Sequence, residues 1–452
     1  MSLRRLAVLS GIVVVLLAFI LLYERNVPTT QQRLEKGNTA WDIDPSALAR
    51  FQILRGSETL EFARKKDQTW KMVKPVPYPA DAEMMSSLVS DLAHPEKTGD
   101  EAESTSQPDY GLMAPRAVVT VTTKPAKGGE SASYTVSIGK DVPGTDTVAA
   151  RVKGENRIVF LRSTLAADLL KPVDAYKSHK VFDASPDDVT QISIVRGRGR
   201  IEFEKRKGEW WLTSPIVDLG DPTAVTRLVG SLLGETVSEF VPIAPSELAG
   251  DGLNPPIYTV RVVAAGKPTV LSVGATRSDG KTVYAQANGQ TFALDSSVTD
   301  DLSSEADSYR DRKLARFDAA DVRAITISSP ERNLKLSKSG EKWTADGHDV
   351  PSAAVSDFLT ALAAFQSKGF LSANETAAAA SAPETLGVKL EFGDRPALDI
   401  SFRSVKGGSA AARVTGRPAA LAVGTPDLEG LVSQLGKLTP PRTAPKAASG
   451  KK

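Results

Sequence analysis

At 452 residues, with 41% hydrophobic and 24% charged content, the chain exceeds what one hydrophobic core usually supports, so about two to four ordinary globular domains are expected. Its 56 basic residues against 54 acidic ones leave a net charge of +2, which excludes the broad basic field of a nucleic-acid-binding protein. The absence of cysteine excludes a disulfide framework, a thiolate metal site and a lipid-modified cysteine, and is compatible with an oxidising compartment.

Leu6 to Tyr23 is an uncharged apolar run interrupted only by Ser10 and Gly11. As a helix rising about 1.5 Å per residue it reaches about 27 Å, close to a hydrocarbon core of about 30 Å. Arg4 and Arg5 precede the run. The positive-inside bias therefore predicts a single-pass anchor over residues 1–25, in the bacterial inner membrane, with a cytoplasmic N-terminus and an extracytoplasmic bulk. The competing reading is a cleaved signal peptide, but the run is longer than a usual signal core and no small-x-small site follows it. Residues 26–43, polar and carrying Pro28, are expected to form a linker.

From Asp44 onward one pattern recurs three times. An alternating strand carries Phe51 and Ile53, then Ile192 and Ile194, then Ile325 and Ile327. A turn and a second alternating strand follow, with Leu60 and Phe62, Ile201 and Phe203, and Leu334 and Leu336. Such short alternation bounded by turn residues predicts half-buried hairpins. Trp70, Trp210 and Trp343 come next on a third strand, which Pro75 and Pro215 end in the first two copies because proline cannot donate to a ladder.

A helix follows, with Asp81 and Asp221 placed as N-caps and Ser352 expected to take over in the third copy. Its apolar stripe is Met85, Leu88, Val89 and Leu92, repeated from Val225 and from Val355 at the i, i+3, i+4, i+7 spacing of a helix packed on one side. Further on, Tyr110-Gly111-Leu112 with Pro115 matches Asp251-Gly252-Leu253 with Pro256, and Ile138-Gly139 matches Val273-Gly274. Copy three lacks the Gly-Leu motif and has an Ala- and Ser-rich stretch at 371–384, expected to be a loop or weak helix. The expected fold is α+β: the single transmembrane helix, then three tandem α+β modules with mainly antiparallel sheets. They span residues 44–180, 181–314 and a degenerate 315–438, before a tail at 439–452 expected to be disordered.

The Trp-x4-Pro segments at Trp70 and Trp210, the capped helices after them, Tyr110-Gly111-Leu112 and the two Gly turns together resemble the bacterial family known as domain of unknown function 4340. Tyr309-Arg310-Asp311 resembles that family's end signature, whereas copy one has Tyr176-Lys177-Ser178 there. The resemblance implies a membrane-anchored envelope protein whose gene accompanies an ABC transporter of the gliding-motility type. It supplies no catalytic residues.

The residues that could carry chemistry are sparse. His94, His179 and His348 stand at non-equivalent places without ligand spacing, so no metal site or cofactor is expected. Ser137 and Lys140 form a Ser-x-x-Lys pattern that copy two does not keep, since Ala275 stands at the lysine's place. One tryptophan per unit at a fixed place reads as core more readily than as a stacking platform. The best candidate site is the basic run Arg196, Arg198, Arg200 and Arg206, unique to copy two, as a contact for an anionic partner; its plain alternative is a solvated hairpin tip. These readings predict a non-enzymatic accessory or scaffold of an ABC-type transport system, touching the permease or an accessory protein and no nucleic acid. The alternative is a periplasmic binding module for a cell-envelope polymer or lipid.

Overall fold

A computed structural model describes residues 39–98, 110–125, 130–155, 157–405 and 409–438. The chain divides into two compact units, residues 1–179 and 180–452, the first holding one antiparallel sheet and the second two. In the first unit β1 (Leu48–Arg55), β2 (Glu58–Arg64), β3 (Trp70–Lys74) and β4 (Tyr78–Pro79) form a meander. Helix α1 (Ala82–Ala93) then crosses the sheet, and β5 (Ala117–Thr123), β6 (Ser133–Asp141), β7 (Thr147–Val152) and β8 (Val159–Arg162) form a second meander. Because β5 pairs with β1, the two meanders join into the order β4-β3-β2-β1-β5-β6-β7-β8. Helix α2 (Ser163–Leu169) closes the unit.

The second unit runs through this plan twice. Its first sheet holds β9 (Val189–Arg196), β10 (Gly199–Arg206), β11 (Glu209–Ser214) and β12 (Asp218–Leu219). After α3 (Pro222–Gly234) come β13 (Glu239–Phe240), β14 (Tyr258–Ala264), β15 (Lys267–Thr276), β16 (Thr282–Ala287), β17 (Gln290–Asp295) and α4 (Val298–Ser303). The next sheet has β18 (Val322–Ser329), β19 (Arg332–Ser339), β20 (Lys342–Ala345) and β21 (His348–Val350). There follow α5 (Ser352–Ala364), β22 (Gly369–Phe370), α6 (Ala373–Ala380), β23 (Glu384–Phe392), β24 (Leu398–Val405), β25 (Ser409–Val414), β26 (Arg417–Val423) and α7 (Thr425–Gln434).

Alternation along the strands decides which face is buried. Phe51, Ile53, Ile192, Ile194, Ile325 and Ile327 all turn inward and are 2% exposed or less. The stripe of the principal helix covers that face: Met85, Leu88, Val89 and Leu92, and their counterparts in α3 and α5, lie in the three cores. Trp70, Trp210 and Trp343 sit in the same cores, so the tryptophans are structural. Trp41 and Ile43 join the first core, Trp41 donating its indole N–H to the Leu92 carbonyl at 2.9 Å. The chain is thus packed before Asp44.

The expected α+β fold led by a transmembrane helix is corrected. Antiparallel sheet dominates, and the seven described α-helices are short covers on it. No helix among the described residues is long and apolar enough to cross a membrane. The longest, α3 and α5, have 13 residues each, about 20 Å of helix, and keep polar residues on their outer sides. The segment Leu6–Tyr23, residues 26–38 of the linker and the tail 439–452 lie outside the described residues.

Asp81 and Asp221 cap their helices, accepting from the Met84 and Ala224 amides at 2.8 Å. Ser352 does not take that role: Pro351 is the cap residue, and Ser352 donates its hydroxyl to the Glu341 carbonyl at 3.0 Å. The stretch at 371–384 contains a true helix, started by a capping box between Ser372 and Glu375.

The Gly-Leu and Ile/Val-Gly motifs meet in space. Lys140 donates its amide to the Tyr110 carbonyl at 2.7 Å, and Ala275 to the Asp251 carbonyl at 2.8 Å. A Cβ at Gly139 or Gly274 would lie 2.3 Å from that same carbonyl oxygen. The motif pair therefore clamps a loop onto the sheet's other face, where Leu112 packs on Ala149 and Ile158. In copy three α6 replaces the loop, placing buried Ala379 beside β24 and β26, the latter carrying fully buried Ala420.

Candidate functional site

Asp218 and Arg417, which sequence reading left unassigned, converge with Arg310 of the end signature within the second unit. Asp218 begins the edge strand β12 and is fully buried. The segment leaving the turn Ala306–Tyr309 runs along that edge: Asp221 donates its amide to the Tyr309 carbonyl and Asp311 donates its amide to the Leu219 carbonyl, both at 2.8 Å. This pairing carries Arg310 to Asp218, with Nε 2.9 Å from Oδ2. From the next sheet Arg417, which opens β26, places Nε 2.8 Å from Oδ1 and Nη2 3.1 Å from Oδ2 of the same carboxylate.

Both guanidiniums are nearly inaccessible, at 3% exposure for Arg310 and 6% for Arg417. Desolvating three charges is costly unless their hydrogen-bonding capacity is filled. Arg417 fills its own by donating to the carbonyls of Asp311 at 2.9 Å and Lys313 at 2.6 Å. Arg310 reaches Asp307 at 2.9 Å through Nη1, and its plane lies 3.7 Å from the Phe370 ring centre. With both Asp218 oxygens engaged by arginines, the group is a tie between two sheets and has no free carboxylate for acid–base work.

Beside this tie lies a cleft of about 430 Å³ between the first turns of α3, the Asp307–Arg316 segment and Gln366. Arg316 crosses its wall, donating to Asp311 at 2.8 Å and to the Gly220 carbonyl at 3.0 Å.

The basic run expected to form one site is divided by the fold. Arg196, Arg198 and Arg200 lie at the β9–β10 turn, whereas Arg206 stands at the opposite end of β10, about 20 Å from Arg200 at about 3.3 Å per residue. Arg196 is held by Glu305 at 3.1 Å and the Ser303 carbonyl at 2.9 Å, Arg200 by Glu202 at 3.2 Å, and Arg206 by Glu204 at 2.7 Å. Arg198 alone of the four has no ion pair among the described residues.

Ser137 lies mid-strand opposite Val118 and Arg151, and Lys140 packs its stem over Gly111, so this pair serves the loop clamp. His94 meets Asp42 at 2.8 Å on the surface, His348 is exposed opposite Ala345, and His179 is exposed elsewhere. No group of metal-ligating side chains occurs among the described residues.

Sequence reading missed Asp218 and Arg417 because the partners are 199 residues apart and each resembles an ordinary surface charge. A signal existed in the repeat. Asp218 occupies the register position of Tyr78, which is 1% exposed and whose hydroxyl burial pushes up to about 12; a charge where another copy buries an aromatic needs a partner.

No curated protein shows significant similarity to the sequence. Among solved structures, the DNA polymerase sliding clamp from Pseudomonas aeruginosa aligns over 86% of this chain and 94% of its own, with 8% identity and a TM-score of 0.12, a likeness too slight to carry any argument. The family described as domain of unknown function (DUF4340) matches residues 70–256 and again 210–388. Each match starts at a repeat tryptophan and runs past one module into the next, so the unit it recognises includes a junction. Together the two matches cover more than half of the sequence, and the chain belongs to the family of domain of unknown function (DUF4340).

Proposed function

We propose that the protein is a non-catalytic scaffold that holds binding surfaces of successive modules at fixed spacing. The observation that supports this reading best is the buried Asp218–Arg310–Arg417 tie, a specific device at a module junction where a flexible linker would suffice for mere tethering. A buried polar network specifies one geometry because any other arrangement leaves charges unpaired. The setting proposed is the accessory role beside an ABC-type transport system in the cell envelope, with the permease or another accessory protein as partner. The rival reading, capture of an envelope polymer by the basic hairpin, loses force because its arginines are split between two ends of β10 and mostly paired.

Affinity purification of the tagged full chain after cross-linking in its native cells tests the proposal. Recovery of a transporter component is the expected result. Recovery of polysaccharide or lipid with no transporter component would overturn the accessory reading.

A further inference from the structure

The cleft beside the tie has a chemistry of its own. Five cations, Arg227, Arg310, Arg312, Lys313 and Arg316, line it against three carboxylates, those of Asp221, Asp307 and Asp311. The carboxylates are already engaged: Asp221 caps α3, Asp307 accepts from Arg310, and Asp311 accepts from the Lys313 amide and from Arg316. Arg227, Arg312 and Lys313 are exposed and make no side-chain ion pair among the described residues. The positive excess is therefore held by side chains free to bind.

A further feature points the same way. Arg310 contributes a buried Nη2 with no hydrogen-bond partner, in a side chain only 2% exposed. An unmet buried donor of this kind is costly, and an acceptor entering the cleft would relieve it.

Arg227 and Arg312 are also peculiar to this copy. Ser87 and Asp357 stand at the place of Arg227 on the equivalent helices, and His179 stands at that of Arg312 in copy one, where Lys177 and Lys180 keep the charges of Arg310 and Lys313. Residues that build the module recur; Arg227 and Arg312 do not.

We propose that the cleft between α3 and the Asp307–Arg316 segment is a binding site for a phosphoryl group, with Arg227 and Arg312 gripping its oxygens and Arg310 lending the buried donor. This goes beyond the scaffold reading and does not depend on it. The phosphoryl group could be carried by a lipid headgroup or be free phosphate.

The test titrates the full chain with inorganic phosphate, and separately with a soluble phosphodiester headgroup such as glycerophosphoglycerol, by calorimetry at constant ionic strength. Saturable binding of either is expected, and a preference between them identifies the source. Arg227→Ala with Arg312→Ala should weaken binding about tenfold or more while leaving the thermal midpoint without ligand unchanged, since both side chains are exposed. Arg198→Ala, at the unpaired hairpin tip, should change nothing. Absence of saturable binding to both ligands, or equal binding by the double variant, overturns the proposal.

Discussion

Single side chains in this protein show how burial decides what a charge does. Glu235, half-buried at the end of α3, has its carboxyl pushed up to about 7, first by desolvation and then by the nearby charges of Asp295 and Asp301. In the unfolded chain it titrates near the ordinary value of 4.5, so the folded state holds the proton more tightly. The stability it contributes is fully present below that ordinary value and is lost as pH rises through about 7. Glu235→Gln should therefore match the parent in acid and melt at higher temperature than the parent above about pH 8. Thermal melts across pH check this, and parallel curves for the two proteins would refute it. Nothing about this group was legible in the sequence, since a lone glutamate after a helix reads as solvated. The Asp81 and Asp221 caps were legible, because capping is a local contact fixed by spacing along the chain.

Elements were readable where their signal is periodic. The strand pairs, the helix stripes and the tryptophan positions all follow from apolar spacing, and each lands in its core. The balance between helix and sheet was not readable, because the long polar-looking stretches after each principal helix hold four-stranded meanders whose alternation is diluted by Thr, Ser and Ala. The Gly139 and Gly274 motifs were visible as motifs, yet their purpose needed the partner loop. Gly274→Ala places a methyl against the Asp251 carbonyl at 2.3 Å, and backbone cannot yield there without breaking the hydrogen bond that the Ala275 amide donates to that carbonyl. The substitution should cost about 1–3 kcal/mol in urea unfolding. Gly208→Ala serves as a contrast, because no atom lies within 4 Å of its Cβ position and only its positive φ of 87° opposes the change.

At the scale of the second unit, the question is whether two sheets behave as one body. Each has its own core, and chain connectivity alone would let them unfold separately. The Asp218 tie opposes this: it joins β12, the Arg310 segment and β26, and separating the sheets would part Arg417 from the carboxylate it shares with Arg310. Asp218→Ala removes the shared carboxylate, a change worth about 3–5 kcal/mol for a buried pair broken on one side. Because that energy resides between the sheets and not inside either, its loss should show as lost coupling more than as weakened cores. Hydrogen exchange on the full chain should find β9–β17 and β18–β26 opening together in the parent protein and at separate denaturant concentrations in the variant. Uniform loss of protection across both sheets, with coupling retained, would mean that the tie merely adds stability and that the fixed spacing proposed for the scaffold has another origin.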